Sequence, residues 1–151
     1  MDRQGKHFCA IMLALVSGVG VGACDFLQVT DLFFRPLFAF FIVELKSRKV
    51  IHVNVTRSPT DLWVAQQLRE ATPYGQTPKY LIRDNDRKFG PNFARGAMMG
   101  DIKVLRTPRA NAVCERFLGS VRRECLDHFL ILYEKQLSRL LKAYVMYFNQ
   151  A

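Results

Sequence analysis

Three carboxylates of this chain stand in contexts that would direct them at one shared point. Asp25 begins an apolar run, Asp84 ends another, and Glu115 belongs to the stretch NAVCERF. Carboxylate oxygens suit hard divalent cations such as Mg²⁺. A pair of such ions can activate a nucleophile and stabilise a leaving oxygen on a phosphodiester. The three acids therefore define a candidate site for phosphoryl transfer, with Mg²⁺ as the expected cofactor and Mn²⁺ as a substitute.

The elements that must position these acids begin with three short apolar runs. Residues 23–29, residues 37–43 and the alternating residues 50–55 are typical of strands. The second and third runs should pair across residues 44–49, so that the three form a meander. Asp25 would then lie on the first strand.

A helix is expected after the sequence Ser58-Pro59-Thr60-Asp61. This stretch supplies a capping residue, a proline tolerated in the first turn and an acid near the positive helix end. Pro73 and Gly75 should stop the helix. Its apolar stripe would consist of Leu62, Ala65 and Leu68, with Trp63 beside them. We interpret Trp63 as a core residue rather than a platform for stacking bases.

The rest of the chain alternates between strand and helix patterns. Residues 79–83 and 102–105 indicate two further strands, with a short helical turn at 92–99, and helices are predicted at 110–129 and 133–148. Strands with intervening helices indicate an α/β layer architecture. The last helix carries a continuous apolar stripe that belongs to a core or an interface. Its residues are Leu137, Leu140, Leu141, Tyr144, Val145 and Phe148.

The charge of the chain favours a polyanionic partner. Its 22 Lys and Arg against 13 Asp and Glu give a net charge of +9 over 151 residues, which attracts polyanions and speeds their encounter. DNA is the expected partner, and an anionic membrane surface is second. An ordinary basic surface is the alternative. Five arginines fall close to Glu115 in sequence: Arg106, Arg109, Arg116, Arg122 and Arg123.

The cysteines and histidines do not support a zinc site. Cys9, Cys24, Cys114 and Cys125 show no CxxC pairing and no matching histidine spacing. We interpret them as buried or incidental thiols in a reducing compartment, which favours a cytoplasmic location. No zinc is expected.

An apolar N-terminal run gives a minor alternative for location. Residues 8–24 carry no charge, follow a basic start and end in Val-Gly-Ala-Cys, which resembles a bacterial lipoprotein signal. The run is short for a membrane span and is diluted by Ser17 and three glycines. Membrane association through residues 8–24 is therefore unlikely, and residues 1–22 are treated as an atypical segment ahead of the core at 23–151.

Three stretches resemble one known family in the family's own order. They are CDFLQVTDLFFRPLFAFFIVELKSRKVIHVNVT, LIRDNDRKFG and RTPRANAVCERFLGSVRREC. They resemble the integrase catalytic core of bacterial insertion-sequence transposases, which are related to retroviral integrases. The resemblance implies an RNase H-like α/β fold with a mixed five-stranded sheet flanked by helices. It also implies DNA cleavage and strand transfer by Asp25, Asp84 and Glu115 as the metal-binding acids, in a homo-oligomeric working complex.

The same resemblance points to side chains around the acids. Within DNDRKF, Asp86 is the alternative to Asp84 for the catalytic position. Asn111 and Arg122 share roughly one helical face with Glu115, which makes them candidate DNA contacts. For Arg122 the alternative is a solvated surface charge. Lys88 and Arg116 are further candidates, and Cys114 is expected to pack.

The chain also departs from the family. Residues 1–22 do not resemble the usual upstream DNA-binding region, and the loop at 108–111 is shorter than the family usually has. These departures suggest a truncated copy, and the short loop could draw Glu115 away from the other acids. The first hypothesis is a Mg²⁺-dependent DNA-processing core, impaired if those departures matter. The second is an inactive DNA-binding remnant, and the third a protein anchored to a membrane through its N-terminus.

Overall fold

A computed structural model of the protein describes residues 20–72, 77–84, 88–106 and 112–150. The strands within these ranges are β1 (Val21–Thr30), β2 (Pro36–Glu44), β3 (Val50–Thr56), β4 (Tyr80–Arg83) and β5 (Lys103–Arg106). The helices within them are α1 (Asp61–Ala71), α2 (Pro91–Met99), α3 (Ala112–Glu124) and α4 (Glu134–Gln150), with a 3₁₀ turn at Leu126–His128. The predicted segment 1–22 and the loop at 108–111 lie almost wholly outside the described residues.

The described strands form one mixed sheet. Their order is β3-β2-β1-β4-β5. β1, β2 and β3 pair antiparallel, as the predicted meander requires, whereas β1, β4 and β5 run parallel. β2 reads as nearly continuous apolar sequence because helices cover both faces of the sheet. The predicted five-stranded mixed sheet is confirmed.

Side chains that alternate along the strands feed two separate cores. On one face, Ala23 and Ile82 pack with residues of α3 and α4, including Phe117 and Leu141. On the other face lie the side chains that meet α1 and α2. Because successive residues of a strand point to opposite faces, the parity of a position tells which helices it meets. Asp25 shares its parity with Ala23 and so belongs to the α3 face.

The predicted elements are confirmed, with three corrections. Leu62 is 64% exposed and is not part of the buried stripe, because residues spaced by three drift by roughly 60° per step around a helix. Pro59 precedes the cap instead of lying in the first turn, since Thr60 is the N-cap and its hydroxyl accepts from Trp63 N at 3.2 Å. The helix predicted at 110–129 ends at Glu124.

Two other expectations about packing are confirmed. Trp63 packs against the second core, with its ring 6.3 Å from that of Phe40. The stripe of α4 is core, because Leu137, Leu141 and Tyr144 are buried and the other stripe residues pack against the same cluster. Among the described helices, none has the length and apolar composition to cross a membrane.

Candidate active site

The register of two parallel strands sets Asp25 level with Asp84. β1 and β4 pair Val21 with Tyr80 and, two residues on, Ala23 with Ile82. The same offset, carried two residues further, places Asp25 opposite Asp84 just beyond the end of β4. Both aspartates share the parity of Ala23 and Ile82, whose side chains lie beneath α3. Each acid is partly buried, so both carboxylates lie at the edge of that core.

Glu115 approaches the same place from above the sheet. It lies in the first turn of α3 and is exposed, whereas the preceding Cys114 is 1% exposed. Burial raises the pKa of the Cys114 thiol, and the negative charges of Asp25, Asp84 and Glu115 raise it further. The Cys114 thiol therefore lies within electrostatic range of all three acids. The structure thus places Asp25 on β1, Asp84 directly after β4 and Glu115 in the first turn of α3.

The local contacts of the two aspartates are made by their own strands. Asp25 Oδ1 accepts from Phe26 N at 2.8 Å. The guanidinium of Arg83 donates to the carbonyl oxygen of Asp84 at 2.9 Å and lies 5.1 Å from the Phe89 ring centroid. Arg83 therefore fixes the backbone where β4 ends and places a positive charge beside the acids.

The thiols under this site are packing groups. Cys24 lies on the opposite face from Cys114, and burial raises its pKa, with the charges of neighbouring acids adding to the shift. A buried thiol with a raised pKa is not a nucleophile at neutral pH. This agrees with the prediction that Cys114 packs.

The donor chemistry fits a hard divalent cation, but the ligand set is not closed. Carboxylate oxygens are the preferred ligands of Mg²⁺, and Asp25 and Asp84 supply them from adjacent strands. Among the described residues, however, no three His, Cys, Asp or Glu side chains lie close enough together to hold one ion. Of the three acids, Glu115 is the exposed one, whereas Asp25 and Asp84 are partly buried.

Three of the four predicted DNA contacts lie within the described residues, and they have different neighbours. Lys88 Nζ lies 5.2 Å from the Phe26 ring centroid and 5.1 Å from that of Phe38, so its ammonium group makes cation–π contacts with both rings. Arg122 donates to the carbonyl oxygen of Gln28 at 2.9 Å and ties α3 to β1. Asn111 and the alternative acid Asp86 lie outside the described residues.

Arg116 is the predicted contact that directly follows Glu115 in sequence. It is exposed on α3 and, with Arg48 from the β2–β3 turn, lines a cavity of about 170 Å³. Arg48 has a φ of 59°, a left-handed backbone that the sequence did not reveal. The two guanidinium groups give this cavity a positive rim.

Two further aspartates stabilise the elements around the site, and the sequence did not predict their partners. Asp61 accepts backbone N–H groups from Gly90, Asn92 and Phe93 at 2.7–3.0 Å and so caps α2 from a neighbouring helix. Asp31, at the far end of β1, has no exposed side-chain surface and pairs with two arginines. The acid of the Ser-Pro-Thr-Asp stretch was the available signal for Asp61, but its partners are distant in sequence.

Comparison with known proteins gives the class of fold. No family model matches the chain, and no curated protein matches it in sequence. Solved structures do match: the fold is the RNase H-like α/β fold of retroviral integrase catalytic cores. The predicted fold class is confirmed, whereas no comparison distinguishes a bacterial insertion-sequence transposase.

Two solved integrase systems show the extent of the likeness. The HTLV-2 integrase catalytic core domain in complex with magnesium, in a trimeric form, matches with a TM-score of 0.58 and 16% identity over 68% of this chain and 66% of its own. Its dimeric form gives a TM-score of 0.57. A chain of the simian T-cell lymphotropic virus intasome in complex with PP2A regulatory subunit B56 gamma matches with a TM-score of 0.61 and 15% identity, over 68% of this chain and 38% of that one.

Proposed function

We propose that this chain is a metal-dependent DNA-processing core of the type found in bacterial insertion-sequence transposases. The observation that supports the proposal is an integrase-type sheet in which the β1–β4 register, extended by two residues, sets Asp25 level with Asp84, with Glu115 in the first turn of α3 on the same face. The proposed activity is cleavage of a DNA phosphodiester followed by strand transfer.

The metal ligands would be the three acids themselves. Clustered carboxylates repel one another and stay ionised together only beside cations, so this cluster favours Mg²⁺ or Mn²⁺. A bound divalent ion supplies charge stabilisation at phosphorus and a more acidic nucleophile. The magnesium complex of the HTLV-2 core, which shares the fold, supports this cofactor.

The residues of this chain would orient the reactants. In the first reaction water attacks phosphorus in line, the bond from phosphorus to the 3′ oxygen breaks, and that oxygen leaves as a hydroxyl. In the second, the new 3′-hydroxyl attacks a phosphodiester of another duplex and displaces its 3′ oxygen in turn. Asp25 and Asp84 are held level by the β1–β4 register, which is the rigidity that in-line geometry needs.

DNA would reach the acids along the basic surface. The net charge of +9 draws the duplex in, and Arg116, exposed one residue after Glu115, is our first choice for a phosphate contact. Asn111, Lys88 and Arg122 remain proposed contacts of lower rank, since Lys88 and Arg122 have intramolecular partners. The dimeric and trimeric forms of the HTLV-2 core support a homo-oligomeric working complex.

One observation favours a second candidate function, a DNA-binding remnant without turnover. The described acids do not form a closed three-ligand set, and Glu115 is exposed. In this case the basic surface binds DNA while the acids hold no catalytic ion.

A cleavage assay with matched variants tests both functions. Purified protein is incubated with end-labelled duplex DNA and Mn²⁺ or Mg²⁺, and products are separated on a denaturing gel. We expect Asp84→Asn to lower the cleavage rate by about a thousandfold or more. Asp101→Asn is the control, because Asp101 is exposed in the turn before the start of β5, whereas Asp84 follows the end of the parallel strand β4.

The outcomes separate the candidates. Cleavage that survives Asp84→Asn but not Asp86→Asn would move the catalytic position to Asp86. If wild type shows no cleavage or joining but binds DNA at low salt, the enzymatic proposal fails and the remnant stands. Absence of DNA binding removes both.

A further inference from the structure

Two segments remote from the acids present seven large apolar side chains to solvent. One is the loop between β1 and β2, with Leu32, Phe33 and Phe34. The other is the strap at residues 129–133, which follows the 3₁₀ turn. The seven residues that we call the hairpin–strap surface are Leu32, Phe33, Phe34, Phe129, Leu130, Leu132 and Tyr133, and each is at least 43% exposed.

The surface is continuous. A groove of about 410 Å³ runs between the two segments, walled by Leu32 and Phe34 on one side and by Phe129 and Leu130 on the other. Its floor is aliphatic, formed by Val29, Leu126 and Ile131. On the other side of Phe129 a second hollow of about 310 Å³ continues past Tyr133 to Leu140. Large contiguous apolar patches of this kind mark interaction sites.

Hydrogen bonds hold both segments in place without a partner. Leu32 N donates to the carbonyl oxygen of Ile131 at 2.8 Å and joins the loop to the strap. The Gln136 side chain clamps the strap, accepting from Leu132 N at 2.7 Å and donating to the Leu130 carbonyl at 2.9 Å. A surface that is already ordered loses little entropy when it binds.

Phe34 combines a strained backbone with an exposed aromatic ring. Phe34 has a φ of 60° and is 89% exposed. Its amide donates to Asp31 O at 3.0 Å, and Asp31 N donates to Arg35 O at 3.0 Å, which is a short hairpin turn whose left-handed position glycine normally fills. A bulky residue there is strained, and its ring packs nothing inside the fold that would offset the strain.

We propose that the hairpin–strap surface docks a protein partner through an apolar segment flanked by acidic residues. The charges beside the grooves are mainly positive, since Arg122 and Arg139 line them and Arg35 follows Phe34, against the exposed carboxylates of Asp127 and of Glu134, which follows Tyr133. Acidic flanking residues would pair with these guanidinium groups.

The other occupants fit less well. A second copy that docked here face to face would bring its own Arg122 and Arg139 against the same arginines, and this contact differs from the homo-oligomer proposed for the working complex. The floor of the groove is aliphatic and three of the seven exposed side chains are leucines, which apolar side chains of a protein can fill and a phosphate backbone cannot. Arg122, a lower-ranked proposed DNA contact, also lines this groove, whereas Arg116, the first-ranked one, lines a different cavity.

Selection from a display library tests the inference. The immobilised full chain is panned against random dodecamer peptides, with counter-selection on Phe34→Gly. We expect enriched peptides that combine aromatic or aliphatic residues with Asp or Glu, and that bind Phe34→Gly and Leu130→Ser at least about tenfold more weakly than wild type. Met99→Ser, which alters an equally exposed apolar residue on α2, should leave their affinity unchanged.

Stability and cleavage measurements exclude trivial causes. Glycine relieves the left-handed strain at residue 34, so Phe34→Gly should melt at the same temperature as wild type or higher, and its rate of DNA cleavage should be unchanged. The inference is overturned if no enriched peptide distinguishes wild type from Phe34→Gly, or if the enriched peptides are basic. It is equally overturned if Phe34→Gly instead abolishes self-association in sedimentation velocity, binding to phosphatidylserine vesicles, or binding to a short duplex.

Discussion

Two aspartates have different surroundings: Asp25 lies within β1, and Asp31 directly follows this strand. Asp31 is enclosed by donors: its carboxylate accepts from Phe33 N and Arg35 N at 2.9 Å, and both Arg35 and Arg57 reach it at 3.3 and 2.9 Å. Asp25, earlier on the strand, lies level with a second aspartate and shares with Asp84 and Glu115 an influence on the Cys114 thiol. The carboxylate of Asp31 is paired with two arginines, whereas that of Asp25 lies in the neighbourhood of two other acids.

The difference indicates which of the two aspartates has a structural role. A buried carboxylate saturated by donors stabilises a turn, and it has no capacity left for a metal or substrate. An acid beside other acids destabilises its neighbours until a cation arrives. The same residue type therefore has a proposed chemical role in the middle of β1 and a structural role directly after this strand.

The largest expected effects come from changing the two aspartates in turn. Asp25→Asn should lower metal-dependent DNA cleavage by about a thousandfold or more, while the melting temperature stays equal or rises because repulsion between the acids is relieved. Asp31→Asn should lower the melting temperature, since it leaves the guanidinium groups of Arg35 and Arg57 facing a neutral amide. It should leave the cleavage rate of the folded protein unchanged. Cleavage rate per folded molecule and thermal unfolding by circular dichroism are measured for both.

The assignment of roles is tested by the melting temperature of Asp25→Asn and by the cleavage rate of Asp31→Asn. If Asp25→Asn melts far below wild type, Asp25 holds the fold and its proposed chemical role loses its support. If Asp31→Asn lowers the cleavage rate of the folded fraction as strongly as Asp25→Asn does, the two positions do not differ as the structure indicates.

The second prediction concerns Asp61, which resembles Asp31 in being saturated by donors. A Cβ at Gly90 would meet the Asp61 carboxyl carbon at 2.8 Å, so Gly90→Ala must push the carboxylate away from the amides that it caps. We expect a loss of about 1–3 kcal/mol in the free energy of unfolding, measured by urea denaturation. Cleavage by the folded protein should change little.

Gly96→Ala is the matched control in the same helix. A Cβ at Gly96 has ordinary contact with Ala65 Cβ at 3.9 Å, and alanine in a helix interior is favoured over glycine by about 0.5–1 kcal/mol. It should therefore stabilise the protein. Equal effects of the two alanines would show that the Asp61 cap does not restrict residue 90.

These saturated aspartates also show where sequence reasoning stops. Apolar period and turn residues were enough to predict the strands, the meander and the stripe of α4, because those patterns are local or repeat along one element. The partners of Asp61 lie about thirty residues away, at Gly90, Asn92 and Phe93, and only the packing of α1 on α2 brings them together. Nothing near Asp61 in the sequence specifies that contact.

The candidate site divides in the same way. The family resemblance predicted Asp25, Asp84 and Glu115 as the site residues. Their spacing along the chain did not predict that Asp25 lies level with Asp84, because this follows from the parallel register of β1 and β4. The role of Arg122 depends on its bond to the Gln28 carbonyl, and a helical face on its own cannot distinguish that bond from a phosphate contact. Charge partners across elements are a property of the fold.

The smallest expected effect is a dependence of stability on pH that the donors of Asp31 create. Burial raises the pKa of Asp31, but the Arg35 amide, the Arg57 guanidinium and the Phe33 amide outweigh it and hold that pKa below its ordinary value of 3.8. The unfolded chain, with the ordinary pKa, therefore takes up this proton first as pH falls. The stabilisation is complete above pH 3.8 and is lost as pH drops through the lower, folded-state pKa.

Comparison of wild type with Asp31→Asn isolates this contribution. The gap between their melting temperatures should be constant from neutral pH down to about pH 5 and should narrow below about pH 4, because protonated Asp31 resembles asparagine in charge. Asp101→Asn, at an exposed turn, should keep a constant small gap throughout. A gap for Asp31→Asn that stays constant down to about pH 2 would mean that the carboxylate charge contributes nothing, and that Asp31 differs from Asp25 only in shape and hydrogen bonding.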